Sequence, residues 1–284
     1  MTTQQTWADS PLLTAIERIR AHMRYATIVT GPPPADDPNW VTVAQMAQPE
    51  IADRPITRVM EKYEATQPVA GTYSFRALLG LPLQIIGYCY ATARRVPIIE
   101  DNLRYHTGES LYHIALVEPR ALVLPADALA GQPGIETVCD EAALKEALFA
   151  QVAGLLEPLV AAWAPRKLIN RNNAWASALD GLAYGFQMAG RHELTLDESW
   201  RQLEQLYAER SFPSRRRPVR FLYEVDGEAD ELVVRAGCCL WYMLPKMRTA
   251  QYKYCTSCYL ESDDVRLEKL TAWKRRQAAE KQAA

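Results

Sequence analysis

Most of the common enzyme signatures are missing from this 284-residue chain. It has no Walker loop, no G-x-G-x-x-G, no H-E-x-x-H and no G-x-S-x-G, which argues against the usual nucleotide, flavin, zinc-protease and serine-hydrolase sites. With only 4 histidines there is little scope for an imidazole-rich metal site. No excess of charge of one sign exists either: 32 basic against 34 acidic residues leave a net charge of −2. That balance, with a pI near 6.1, gives no electrostatic case for nucleic acid as a partner. Low-complexity tracts and internal repeats are absent. The longest uncharged run, Ala77 to Ala93, is 17 residues and contains Pro82, Gln84 and two tyrosines, so a buried helix is expected there and no transmembrane span. The start, Met1 to Trp7, has neither the basic region nor the apolar core of a signal peptide. Free thiols then point to a reducing compartment. The expectation is a cytoplasmic protein; contact with the inner face of the membrane stays open.

What the chain does have is a thiol cluster near its end. Four of its 6 cysteines, Cys238, Cys239, Cys255 and Cys258, form a C-C-x15-C-x2-C arrangement. Soft thiolate sulfur suits zinc and iron–sulfur clusters. A C-x2-C pair is a ready chelate, because one turn brings both sulfurs to the same side. The adjacent pair is less usual: neighbouring side chains on a strand point to opposite faces. Gly237 is placed to permit the backbone kink that would bring Cys238 and Cys239 together. Three readings fit the spacing: a [2Fe–2S] cluster, a structural zinc site, or a redox or incidental group of thiols. Cys89, inside an apolar stretch, reads as a small buried hydrophobe, and Cys139 as at most a reactive thiol. His106 and His113 read as structural or surface groups.

Along the chain, Ser10-Pro11 opens a helix running to about Ala26, and Gly31 to Pro38 makes a loop. Trp40 to Ala47 and Ile51 to Ala65 read as short helices. Thr72 to Arg95 is apolar nearly all round and is expected at the centre of the fold. Val96 to Ile99, Ser110 to Val117 and Ala121 to Leu124 read as a small antiparallel sheet. Helices follow at Asp140 to Trp163, Lys167 to Met188 and Thr195 to about Ala208, the last opened by a capping box. Val219 to Val225, the turn at Asp226-Gly227 and Glu231 to Arg235 form a hairpin, and Asp264 to Gln282 a charged terminal helix. The fold class is therefore α+β, mainly helical, with a small antiparallel sheet and a C-terminal hairpin presenting the cysteine loop. Residues 1–135 are expected to form one part, a helical region with the sheet. Residues 136–284 form the other, a helical bundle with the hairpin and the thiol segment.

The block Arg235-Ala236-Gly237-Cys238-Cys239-Leu240-Trp241-Tyr242, with Cys255-x-x-Cys258-Tyr259-Leu260, resembles the signature of FhuF-type siderophore-iron reductases. These are [2Fe–2S] proteins that reduce ferric hydroxamate siderophores. The resemblance implies that Cys238, Cys239, Cys255 and Cys258 are the cluster ligands. It further implies that a ferric siderophore is the substrate and that a small ferredoxin- or flavodoxin-like protein donates the electron. One departure is the loop between the pairs, 15 residues from Leu240 to Tyr254 against about ten in the family, a difference that costs little closure entropy. The segment Arg171 to Leu179 resembles a polar, aromatic-bearing helix of the same family, so Asn173 and Trp175 could line a substrate groove or pack behind the cluster; the plain alternative is a helix start with one core aromatic. The run Arg215, Arg216, Arg217 with Arg220 could grip an anionic siderophore, dock an acidic donor, or be a solvated turn. Lys246, Arg248 and Lys253, in the long loop, are placed to raise the potential of a negatively charged cluster. The rivals are a non-enzymatic protein with a structural four-cysteine zinc site and an iron–sulfur sensor or carrier.

Overall fold

The computed structural model describes residues 7, 10–23, 26–108, 112–247 and 249–283. Eight helices are present among them: α1 (Pro11–His22), α2 (Val43–Met46), α3 (Pro49–Tyr63), α4 (Gln67–Ala93), α5 (Glu141–Trp163), α6 (Arg171–His192), α7 (Leu196–Ala208) and α8 (Asp263–Ala283). The strands are β1 (Thr27–Thr30), β2 (Trp40–Val41), β3 (Val96–Pro97), β4 (Leu103–His106), β5 (His113–Leu116), β6 (Ala121–Val123), β7 (Ile135–Thr137), β8 (Val219–Val225) and β9 (Glu228–Val234). The chain is thus α+β and mainly helical.

Helix α4 is the centre. It is buried from Val69 to Ala91 on nearly every face and packs against α1, α3, α5, α6 and α7. Its main partner is α6, and glycine lets the two backbones touch. A methyl group at Gly185 would lie 2.4 Å from the Gln84 carbonyl oxygen, and one at Gly87 would lie 2.5 Å from that of Leu182. Around this pair one apolar core extends from Ile16 to Leu244 and takes in Phe75, Trp163, Phe186 and Val233, so it crosses position 135. Helices α4 and α5 are each long and apolar enough to cross a membrane, with mean hydropathy 1.2 over their best windows; 78% and 44% of those windows are buried inside the fold.

Side-chain caps fix several helix starts. Ser10 accepts from the Leu12 N–H, Asp140 from Ala143 and Thr195 from Glu198, satisfying first-turn donors that have no partner within the helix. Helix α1 stops at His22 rather than Ala26, because the chain turns into β1. Trp40-Val41 is a strand, and only Val43–Met46 of the expected first short helix is helical. There are two sheets where one was expected. The order β1-β5-β4-β2 contains a parallel pair, β1 with β5; the order β3-β6-β7 contains another, β6 with β7. Pairings β2–β4, β3–β6 and β4–β5 are antiparallel. Ser110 lies outside the described residues. The hairpin β8–β9 is in register from Val219 opposite Val234 to Val225 opposite Glu228. Its two-residue turn, Asp226 (φ 55°) and Gly227 (φ 84°), has the left-handed backbone that a tight hairpin requires. The hairpin lies against α6 and carries the chain directly into the cysteines.

Candidate metal centre

Three elements place the thiols. The end of β9 delivers Cys238 and Cys239, and Arg235 N donates to Ser257 O (2.8 Å), tying this segment to the second pair. Cys258 N donates to Cys255 O (2.9 Å), closing the turn that sets the second pair side by side. Helix α8 then holds that turn. The buried Arg266 donates through Nε to Thr256 O (3.0 Å), and through Nη2 to Cys258 O and Glu261 O (both 2.9 Å). Lys269 donates to Tyr254 O (2.7 Å) and pairs with Glu261.

The first pair is held from α6. Asn173 grips Cys238 by both backbone groups: its Oδ1 accepts from Cys238 N (2.6 Å) and its Nδ2 donates to Cys238 O (2.8 Å). Two turns further on, the buried Asp180 accepts from Ala236 N (2.7 Å), Gly237 N (3.1 Å) and Arg76 Nη1 (2.9 Å). Burial pushes the Asp180 carboxyl up, and Arg76 acts against it. Gly237 serves clearance rather than a kink. A methyl group there would lie 2.6 Å from Ser177 Oγ and 2.9 Å from Ser177 N, and the left-handed residue of the segment is Leu240 (φ 56°). Cys238 and Cys239 open onto different clefts.

The sulfurs form a connected group. Cys239 Sγ and Cys255 Sγ are 3.8 Å apart. Two thiolates on one tetrahedral ion, each with a metal–sulfur bond of about 2.3 Å, lie about 3.8 Å apart. Cys258 hydrogen-bonds Cys255 and the Leu260 N–H and feels the charge of Cys238. Those hydrogen bonds bring its thiol down to about 7, whereas Cys239, hydrogen-bonded to Cys255 and buried, is pushed up. Among the described residues no three thiol, imidazole or carboxylate groups crowd one point closely enough to cage a single ion.

Hydrogen-bond donors face the sulfurs. Leu240 N donates to Cys238 Sγ (3.4 Å), and Arg235 Nη2 donates to Cys255 Sγ (2.6 Å) and Cys239 Sγ (3.7 Å). Arg235 Nε is buried with no partner among the described residues, a donor left over beside the thiols. Such donors stabilise sulfur that carries negative charge, and an added sulfide would satisfy the one that remains. The four residues therefore suit a thiolate-bound metal group in donor type, Cys239 and Cys255 also in spacing, and Arg235 brings the compensating charge.

Two clefts reach the thiols, each lined by different cysteines. One, of about 420 Å³, exposes Cys239 and Cys255 among Arg76, Tyr73, Tyr112, Tyr184 and Trp241. The other, of about 370 Å³, exposes Cys238 among Asn172, Asn173, Arg215, Arg216, Tyr242 and Tyr259. The long loop between the cysteine pairs is docked rather than free. It forms two short 3-10 turns, Trp241–Met243 and Pro245–Met247; Trp241 packs on Tyr63 and Tyr73, and Leu244 is buried.

Of the sequence-derived candidates, Cys238, Cys239, Cys255 and Cys258 are brought together, and Asn173, Arg215 and Arg216 border the Cys238 cleft. Trp175 lies elsewhere, buried on the opposite side of α6, with Nε1 donating to Glu157 (2.9 Å) and its ring near Phe212. Arg217 turns away toward Phe212 and Arg210 O. Lys246 sits over the rings of Tyr63 and Trp241, and Lys253 over those of Tyr242 and Tyr254. Arg248 lies outside the described residues. The cation that touches sulfur is Arg235. Sequence reasoning passed over Arg235, Asp180 and Arg266, although a lone carboxylate between Ala174 and Ala189 was a visible signal. His106 pairs with Asp37 (3.2 Å) beside Trp40, and Cys89 is buried, its thiol pushed up to about 12 by burial. Comparison with models of known protein families and with curated proteins gives no match for the chain.

Proposed function

We propose that the chain is an FhuF-type siderophore-iron reductase of the cytoplasm, with Cys238, Cys239, Cys255 and Cys258 holding a [2Fe–2S] cluster. The observation that carries this reading is the close pair of thiols, Cys239 and Cys255, with Arg235 donating to both and with Cys258 and Cys238 in the same segment. When bound, such a cluster takes up and gives out one electron at a time. A cluster of this kind asks for two protein thiolates per iron, and the 3.8 Å spacing of Cys239 and Cys255 suits one such pair.

The chain's own residues supply position and charge. Asn173 holds the Cys238 backbone, Asp180 holds Ala236 and Gly237 just before it, and Arg266 holds the Cys255–Cys258 turn, so both cysteine segments are fixed by neighbouring side chains. Arg235 offsets negative charge gathered on sulfur. The larger cleft has the volume of a ligand pocket and places Tyr73, Tyr112 and Trp241 where a ferric chelate would approach Cys239 and Cys255. Hydroxamate oxygens are hard donors that hold ferric ion far better than ferrous ion. One electron delivered to the chelated ferric ion therefore releases the metal, and no general acid or base is needed.

Anaerobic purification tests the reading. Iron with acid-labile sulfide, a rhombic EPR signal after reduction, and loss of that signal on adding a ferric hydroxamate are the expected results. Stoichiometric zinc in a colourless protein would replace the reductase with a structural zinc protein. A cluster that stays reduced in the presence of several ferric hydroxamates would make it a sensor or carrier.

A further inference from the structure

The two clefts differ in what they offer a visitor. In the larger one both arginines are turned inward: Arg76 is paired with Asp180 and Arg235 with the sulfurs. In the smaller one Arg215 and Arg216 are exposed to solvent, and no carboxylate is among the described residues that line it. Lys253, over the ring of Tyr242, adds a third cation at the same rim.

This basic rim is wired to a thiol. The Arg216 guanidinium lies 3.8 Å from the centre of the Tyr259 ring. Tyr259 and Cys238 line the same cleft and interact electrostatically, so Tyr259 links the surface cation to the Cys238 sulfur. Asn172 fixes the loop that carries the arginines by accepting from Arg215 N (2.7 Å), and Asn173, next in α6, grips Cys238. The same helix turn thus positions both the rim and the sulfur behind it.

We infer that the Arg215–Arg216–Tyr259 face is the docking surface for an acidic one-electron carrier protein, and that the small ferric substrate uses the other, larger cleft. This rests on the reductase reading above. The carrier, a reduced flavoprotein or iron–sulfur protein, loses one electron at this face, and one ferric ion becomes ferrous at the other. No proton or leaving group needs to cross. Separate faces let the carrier stay docked while substrate enters, and a positive rim meeting an acidic surface accelerates encounter and fixes orientation.

The test is binding of a fluorescently labelled acidic flavodoxin to the full chain, followed by anisotropy at several salt concentrations. The double variant R215E/R216E should bind at least tenfold more weakly at low salt and lose most of its salt dependence. R217E, which reverses one charge of the same run but faces Phe212, should bind like the parent chain. Affinity for ferrichrome should be the same in all three proteins, and matching thermal melts should show that each is folded. Equal weakening by R217E, unchanged binding by the double variant, or loss of ferrichrome affinity in the double variant overturns the docking face. Zinc in the purified protein overturns instead the reductase reading on which it rests, so the two failures are told apart.

Discussion

Arg235 carries positive charge into a site where its Nη2 already meets two sulfurs and its Nε is sealed from water. At an effective dielectric near 20, a charge a few ångströms away is worth several kcal/mol, and it favours the more negative, reduced state of a thiolate cluster. Replacing Arg235 with Gln should lower the midpoint potential on the order of 100 mV, read by an EPR-monitored redox titration. The Lys variant should fall in between, and neutralising Lys246 and Lys253, which lie on aromatic rings, should move the midpoint far less. An unchanged midpoint in the Gln variant removes Arg235 from this role. Asn173 acts differently, since it touches only the Cys238 backbone. Asn173→Ala leaves an N–H and a carbonyl without their partner, which costs about 1–3 kcal/mol for each group kept from water. The expected result is less iron and sulfide per chain at an unchanged midpoint in the molecules that do load. Arg235 stands in the readable cysteine block, yet its role was not readable there. Which cation meets sulfur depends on how β9, the long loop and α6 come together, and position between the cysteine pairs pointed to Lys246, Arg248 and Lys253 instead.

The elements show where periodicity suffices and where it does not. Helices α4, α5, α7 and α8 and the β8–β9 hairpin follow from caps, apolar faces and a two-residue turn, all local signals. Strands β1, β4 and β7 are too short to carry a pattern; β1 pairs in parallel with β5, far along the chain, and β7 pairs in parallel with β6 just before it. The α4–α6 contact was also hidden, because a glycine reads as a weak helix position until its neighbour is known. Gly185→Ala tests that contact. The new methyl group meets backbone atoms, Gln84 O at 2.4 Å and Tyr88 N at 2.7 Å, that cannot rotate away. Overpacking of this kind costs about 1–3 kcal/mol or more, so urea unfolding should show a lower midpoint with a similar slope. A second element contact is pH-dependent. The rings of His22, ending α1, and His192, ending α6, stack at 3.4 Å, with Arg191, Glu193 and Arg18 around them. Burial, then His22 and Arg191, lowers the His192 pKa, with Glu193 opposing. The unfolded chain then binds this proton more readily than the folded one. Stability contributed here is full above about pH 6.5 and falls as pH drops through that value toward the native pKa, below which the loss is constant. His192→Gln should flatten the melting temperature over that window; an unchanged slope would assign it to other groups.

At the scale of the molecule, the thiol segment joins two bodies of unequal robustness. The main core, built on α4 and α6, reaches Val233 and Leu244 at the edges of the cysteine block. Beyond it the hairpin and α8 share only a small cluster of Tyr223, Val225 and Leu270. Between the two lie the thiols, held by hydrogen bonds from Arg266 and Lys269 on one side and Asn173 and Asp180 on the other. The metal group proposed above, bound across Cys238, Cys239, Cys255 and Cys258, would cross-link the C-terminal appendage to the scaffold, and its binding energy would become local folding energy. Removing it should loosen the appendage without melting the core, because opening follows local contact density. Hydrogen exchange on the chain before and after chelator treatment, and on Cys255→Ser, should show faster exchange across residues 219–283. The amides of α4 and α6 should keep their protection in both cases. Uniform loss of protection along the chain would mean that the metal group supports the whole fold; no change at 219–283 would mean that protein contacts, from Gln187 and Arg191 of α6 as well as Arg266 and Lys269, hold the appendage without it.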